Sequence, residues 1–384
     1  MALDWGRAEL NKKVGEREDL VFVTQPSMPP LDEFLPFVER IWSSKILTNG
    51  GLLEQELEEA LSEFLGVDHI SLFSNGTAAL AAALRTLEIG GEVITTPFSF
   101  AATGHVLLWA GLTPVFADIS EESFTLDPTC VRQAITPNTK ALLPVHCFGL
   151  PCHVDHLAEI ARQNDLKVIY DAAAAFGVAD AGGSILRHGE LSIVSFHATK
   201  VFTTFEGGAV IAPDAETKRW LDQLKNHGFD REGNNTVAGF NGKMSEIHAA
   251  FGLTQLRHFH EMIQRRKKIA QSYQAALADV RGITLPAFPD NVTANYAYYP
   301  ILVEDDYRTD RNGLVDDLAS IGCHPRRYFD PLISELAMYR ALPSATPQNL
   351  PIATSVARRV LCLPIYPSLA DRDIDRIVAT IRGA

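Results

Sequence analysis

The chain has 384 residues, 34 Lys plus Arg against 47 Asp plus Glu, and a formal net charge of −13. That length buries a sizeable core without staples, and that acidity argues against nucleic acid or an anionic membrane as the main partner. Five scattered cysteines make no disulfide framework, and a composition 46% hydrophobic and 21% charged is globular, not disordered.

The opening MALDWGRAELNKK lacks the apolar core of a signal peptide, and no purely apolar run reaches the roughly eighteen residues of a membrane span. The expectation is a soluble, cytoplasmic protein. Apolar residues at helical spacing predict helices over 31–44 and 52–66, with the turn LTNGG (47–51) between them. Strands and helices then alternate. The pattern predicts a strand over 69–74, a helix over 76–87, a strand over 92–96, an apolar helix near 101–110 and a strand over 113–118. Strands follow over 141–146 and 167–171 with a helix over 153–164 between them, then strands over 191–197 and 208–212.

Continuous apolar strands joined by helices indicate an α/β fold whose mostly parallel sheet is covered by helices on both faces. A long helical pattern over 245–280 bridges to a strand over 295–303 and helices over 313–322 and 371–383. The expected division is a large domain with an N-terminal extension in 1–250, then the bridging helix and a small C-terminal α+β domain in 251–384.

Candidate chemistry sits at predicted strand ends. Lys200 follows a strand in SFHATK (195–200), ahead of EGG (206–208). A lysine there faces the crevice where α/β sheets bind ligands, and desolvation makes its amine a carbonyl nucleophile. The commonplace alternative is a solvated surface lysine. Asp171 ends the strand KVIYD, where it suits either a pyridinium partner or a cap for DAAAAF. Asn75, Gly76 and Thr77 join a strand to a helix, an anion site or ordinary capping. Phe100 in TTPFSFAAT suits either a flat ring or the core, and Asn241-Gly242-Lys243 is a polar turn ahead of the long helix. The cluster His146, Cys147, Cys152, His153 and His156 departs from common zinc spacings, so no metal is expected.

Taken in order, SNGTAAL, TTPFSF, PVHCFG, VIYDAA, SFHATK, EGGAV and NGKMSEIHAA resemble the DegT/StrS family of sugar aminotransferases, which use pyridoxal 5′-phosphate (PLP) and belong to the aspartate aminotransferase superfamily, fold type I. The resemblance covers nearly the whole chain. It implies that Lys200 holds PLP as a Schiff base and moves protons, that Asp171 pairs with the pyridine nitrogen and that Phe100 stacks on the ring. It also implies that Gly76, Thr77 and Ser195 bind the phosphate, while Asn241 reaches the phosphate of a second subunit in an obligatory homodimer with shared sites. The implied reaction aminates a nucleotide-linked keto sugar, of the dTDP-4-keto-6-deoxyglucose type, with L-glutamate as donor, for O-antigens, other surface glycans or antibiotic sugars. One departure stands out: Ala174 occupies a position usually Gln or His, near the cofactor's O3′, with His227 the candidate to replace that contact. The rival readings are a PLP-dependent sugar dehydratase, against which Lys200 speaks, and a non-catalytic sugar-binding relative.

Overall fold

The computed structural model describes residues 20–230 and 232–383, so the expectation for MALDWGRAELNKK lies outside the described residues. After β1 (Val21–Phe22), helices α1 (Leu31–Ser44) and α2 (Leu52–Leu65) lead into β2 (Ile70–Phe73) and α3 (Gly76–Thr86). Alternation continues through β3 (Glu92–Thr95), α4 (Ala102–Trp109), β4 (Thr113–Phe116), α5 (Pro128–Ala134), β5 (Thr139–Leu143), α6 (Val154–Asn164) and β6 (Lys167–Asp171). A small hairpin, β7 (Ala179–Asp180) and β8 (Gly183–Ser184), precedes β9 (Leu191–Ser195), β10 (Gly208–Ile211) and α7 (Ala215–Lys225).

The central sheet has seven strands in the order β2-β10-β9-β6-β5-β3-β4. Every neighbouring pair is parallel except the two made by β10, which is antiparallel to both β2 and β9. Strand residues alternate between two buried layers. Ile193 and Val210 pack with α3 and α4, while Val194 and Ala209 pack with α1, α2 and the long helix. Two covered faces explain why the strands read as unbroken apolar runs.

The long helix α8 (Glu246–Leu277) contributes Ala249, Phe259 and Met262 to the large core, then Ile269, Tyr273 and Leu277 to a second one. That second core holds β11 (Ile283–Thr284), β12 (Tyr299–Val303), α9 (Arg311–Ser320), β13 (Cys323–His324), β14 (Val360–Leu363) and α11 (Asp371–Arg382) around it, while α10 (Pro351–Arg359) packs Ala353, Val356 and Ala357 into a third core with Phe98 and Phe148. Residues 21–22, read from the sequence as part of the large-domain extension, pair in parallel with Cys323 and His324 of this second body.

Three helices were not foreseen, nor were β14 and the two-residue strands β1, β7, β8, β11 and β13. α5 opens with Asp127 accepting from the Thr129 N–H (2.6 Å) ahead of Pro128, and α7 with Asp214 accepting from the Thr217 N–H (2.7 Å). Those caps are legible in DPTC and DAET; α10 and β14, by contrast, run together without a turn signal. The strand expected over 295–303 is regular only from Tyr299, because the Asn295 side chain is spent on backbone bonds. Among the described residues no helix is long and apolar enough to cross a membrane.

Candidate active site

Four strand ends meet at one edge of the sheet. β2, β6 and β9 finish there and the antiparallel β10 begins there, with Gly208 opposite both Phe73 and Ser195. At this edge Asn75 caps α3, accepting from the Ala78 N–H (2.8 Å), while its carbonyl accepts from the Ala79 N–H (3.1 Å). The first two N–H groups of the helix, those of Gly76 and Thr77, are left for an anion. Capping by Asn75 therefore leaves these two N–H groups free to meet an anion at this junction. The space is tight: a Cβ on Gly76 would meet Ser195 Cβ at 2.9 Å, and a Cβ on Gly208 would meet the Gly76 nitrogen at 2.7 Å. Only glycines let the three strands close round that helix end.

Asp171 ends β6 and is buried. Its Oδ2 accepts from the Thr103 hydroxyl (2.8 Å) and its Oδ1 from the Ala173 N–H (3.1 Å). The second bond is the turn that DAAAAF invited; the first was not legible, because Thr103 lies on α4, in another motif. Burial pushes the Asp171 carboxyl up, and Thr103, Ala173 and Lys200 pull it back. Lys200 sits in the turn after β9, its N–H donating to the His197 carbonyl (2.9 Å). Burial pushes its amine down, opposed by the Asp171 carboxylate. It is therefore not the solvated lysine of the commonplace alternative.

Phe100, whose residue type favours the core, is 63% exposed immediately before α4. Asn241 is exposed as well, in a segment that bridges Asn226 and whose Gly242 carbonyl accepts from the Ser74 N–H (2.7 Å). That bond sets the turn beside the end of β2. A cavity of about 630 Å³ opens at this edge, lined by Asn75, Thr77, Trp109, His197, Glu206 and Phe240. Another, of about 430 Å³, lies at the opposite edge by Thr139 and Leu166, away from every candidate residue.

The Ala174 carbonyl accepts from Asn295 Nδ2 (2.7 Å), which also donates to the Phe176 carbonyl (3.0 Å). Asn295, absent from the sequence reading, thus ties the loop after Asp171 to the segment entering the second body. His227 is exposed, with its backbone N–H on the Phe240 carbonyl (3.0 Å). In the His/Cys cluster, His146 Nδ1 accepts from the Cys152 N–H (2.9 Å), and burial lowers its pKa to about 3. Among the described residues no three His, Cys, Asp or Glu side chains gather as metal ligands.

A family model described as the DegT/DnrJ/EryC1/StrS aminotransferase family matches residues 31–382. The chain belongs to this family. A protein of Escherichia coli named dTDP-4-amino-4,6-dideoxy-D-glucose transaminase is 50% identical, over 94% of this chain and 98% of that one. Its namesake from Shigella dysenteriae is 47% identical, over 95% and 99%. Among solved structures, DesI in the presence of its TDP-sugar product has a TM-score of 0.90 at 37% identity, covering 95% of this chain and 93% of that one. The Spr1654 protein of Streptococcus pneumoniae, solved in a PLP form, has a TM-score of 0.87 at 27% identity, over 95% and 98%.

The fold is therefore fold type I, and the chain is a PLP-dependent aminotransferase. The transaminase names of the curated relatives favour amino transfer over the dehydratase and non-catalytic readings. The residues present suit the cofactor. Helix N–H groups beside two close-packed glycines match a phosphate, a buried carboxylate matches a ring nitrogen cation, and a lysine with a depressed pKa matches an aldehyde.

Proposed function

We propose that this aminotransferase converts a nucleotide-linked keto sugar, dTDP-4-keto-6-deoxyglucose or a close relative, to its amino sugar with L-glutamate as donor. The observation that carries the reading is the 50% identity, over nearly all of both chains, to a relative named for a dTDP-4-amino-4,6-dideoxyglucose. We assign the product to O-antigens, other surface glycans or antibiotic sugars, and place the enzyme in the cytoplasm.

PLP, when bound, supplies an aldehyde that amines add to and a pyridinium ring that takes up an electron pair. Each residue is assigned its part around it. The Gly76 and Thr77 amides and the Ser195 hydroxyl hold the phosphate. Asp171 keeps a proton on the pyridine nitrogen, which a neutral residue there would not. Phe100, exposed at the edge, covers the ring. The Lys200 amine, held short of full charge by burial, binds the aldehyde and then carries a proton between the cofactor's C4′ and the sugar carbon.

Asn241 is assigned to the phosphate of a second subunit, which makes the working unit a homodimer with shared sites. The apolar surface of Leu31, Leu35, Trp42, Leu47 and Leu52, exposed along α1 and the start of α2, supports a covering partner. Residues 1–250 are taken as the cofactor-binding domain and 251–384 as the second domain. Ala174 supplies no side-chain donor to the cofactor's O3′.

The test is a panel of nucleotide keto sugars offered with glutamate to the PLP-loaded enzyme, with mass spectrometry of the products. An amine on dTDP-4-keto-6-deoxyglucose is expected. If glutamate yields 2-oxoglutarate but no nucleotide keto sugar is aminated, the substrate class is wrong.

A further inference from the structure

Asp171 is fed by a chain of buried hydroxyls. Thr103 Oγ1 lies 2.8 Å from Asp171 Oδ2, and Ser99 Oγ lies 2.8 Å from Thr103 Oγ1. Thr103 is 1% exposed and Ser99 6%. A carboxylate only accepts, so the Thr103 proton must point at Asp171. The hydroxyl has one proton, so Thr103 must then accept from Ser99. The ambiguous Ser99–Thr103 pair thereby acquires a direction: Ser99 donates to Thr103, which donates to Asp171.

We propose that Thr103 and Ser99 are positioning residues, a hydroxyl relay that fixes the orientation of the Asp171 carboxylate and so sets how tightly the enzyme holds its cofactor. The proposal rests on the assignment of Asp171 to the pyridine nitrogen. A threonine in the first turn of a helix ordinarily spends its hydroxyl on nearby backbone. Here the helix gives that hydroxyl to another strand. With Ala173 on Oδ1 and Thr103 on Oδ2, two of roughly four acceptor sites on the carboxylate are taken. The carboxylate cannot rotate without breaking both bonds, and its remaining lone pairs stay aimed at the crevice. The relay also ties together two contacts assigned to the ring: Phe100 stands three residues before Thr103, and the Thr103 N–H donates to the Phe100 carbonyl (3.1 Å). Bonds in such a chain polarise one another, so Ser99 strengthens the Thr103 bond without touching Asp171.

The experiment measures PLP dissociation constants for wild type, Asp171→Asn, Thr103→Val, Thr103→Ser and Ser99→Ala, with the thermal midpoint of each apoprotein as the folding control. It adds the nitrogen resonance of ¹⁵N-labelled PLP in each loaded protein. Thr103→Val keeps the shape and loses the donor, so about 10- to 100-fold weaker binding is expected, with a nitrogen signal shifted toward the unprotonated ring. Thr103→Ser is expected to restore wild-type affinity, and Ser99→Ala to lose about 2- to 10-fold. If Asp171→Asn binds PLP like wild type, the Asp171 assignment fails. If Asp171→Asn loses PLP but Thr103→Val does not, or Thr103→Ser is as weak as Thr103→Val, the relay is overturned. Should Thr103→Val not fold, Ser99→Ala decides: unchanged affinity and an unchanged nitrogen signal overturn it.

Discussion

Two desolvated lysines, twenty-five residues apart in sequence, show opposite electrostatic design. Lys225, at the end of α7, is ringed by Glu54 (3.2 Å), Asp222 (3.2 Å) and Glu58 (3.7 Å). Burial opposes its charge, but the carboxylates win and the amine is pushed well above the usual lysine range. Lys200 is also desolvated, yet the Asp171 carboxylate alone does not compensate, and its amine is pushed down. A buried amine given enough carboxylates is structural, whereas one left under-compensated is available as a base and nucleophile. The difference lies in neighbours contributed by other elements.

Four substitutions, two of them followed against pH, probe that contrast and the site around it. Lys200→Ala is expected to leave the protein folded and to cut amino transfer by more than about a thousand-fold, because both the covalent attachment and the proton carrier go. Borohydride treatment followed by peptide mapping should place the cofactor label on Lys200 in wild type alone; a label on another lysine removes Lys200 from its role.

Lys225→Met should leave Glu54, Asp222 and Glu58 facing one another and cost about 3–5 kcal/mol of stability by denaturant unfolding. In wild type, the stabilisation from Lys225 is fully present below the ordinary lysine pKa and is lost as pH rises through the raised one. The gap between the two proteins should therefore narrow only in strong alkali. A gap near zero at neutral pH would mean that the ring of carboxylates does not depend on this amine.

Gly208→Ala pushes a methyl group against the Gly76 nitrogen and should cost about 1–3 kcal/mol, along with weaker PLP retention. Equal loss of stability with full cofactor affinity would detach the glycine contact from the anion cradle. The smallest effect is expected from Lys200→Met in the apoprotein, whose thermal midpoint at neutral pH should equal or exceed that of wild type. A lysine with a depressed pKa binds fewer protons folded than unfolded, so wild-type stability rises with pH through that window. The methionine variant should lack this rise. A midpoint well below wild type would show Lys200 to be structural like Lys225.

Much of this was legible in the sequence because each motif is local. Strand, turn and helix in FSNGTAAL lie next to one another, so apolar period and capping chemistry place this strand–helix junction without tertiary knowledge. SFHATK and KVIYD likewise announce a polar residue at a strand end. What was not legible depends on partners far along the chain. Thr103 meets Asp171 from α4, Asn295 reaches the Ala174 carbonyl from beyond α8, and Glu246 caps α2 through the N–H groups of Leu53 and Glu54 (2.9 Å each). A threonine, an asparagine or a glutamate has no distinctive spacing when its partner is remote. For Phe100, residue type left a flat ring and the core both open, since an exposed phenylalanine has no mark in the sequence that separates it from a buried one.

The antiparallel strand β10 bears on the order of events during synthesis. It wedges between β2 and β9, so residues 70–73 and 191–195 become joined only through 208–211. The cradle proposed for the phosphate brings Gly76 from the early chain against Ser195 from the late chain, and Gly208 packs against Gly76. Closing so long a loop is entropically costly and slow compared with forming any single βα unit. A nascent chain halted before residue 208 should hence carry the motif SNGTAAL yet fail to capture PLP, and stalled chains of increasing length should gain cofactor only after β10 has emerged. On that reading, cofactor uptake reports completion of the sheet by its last strand.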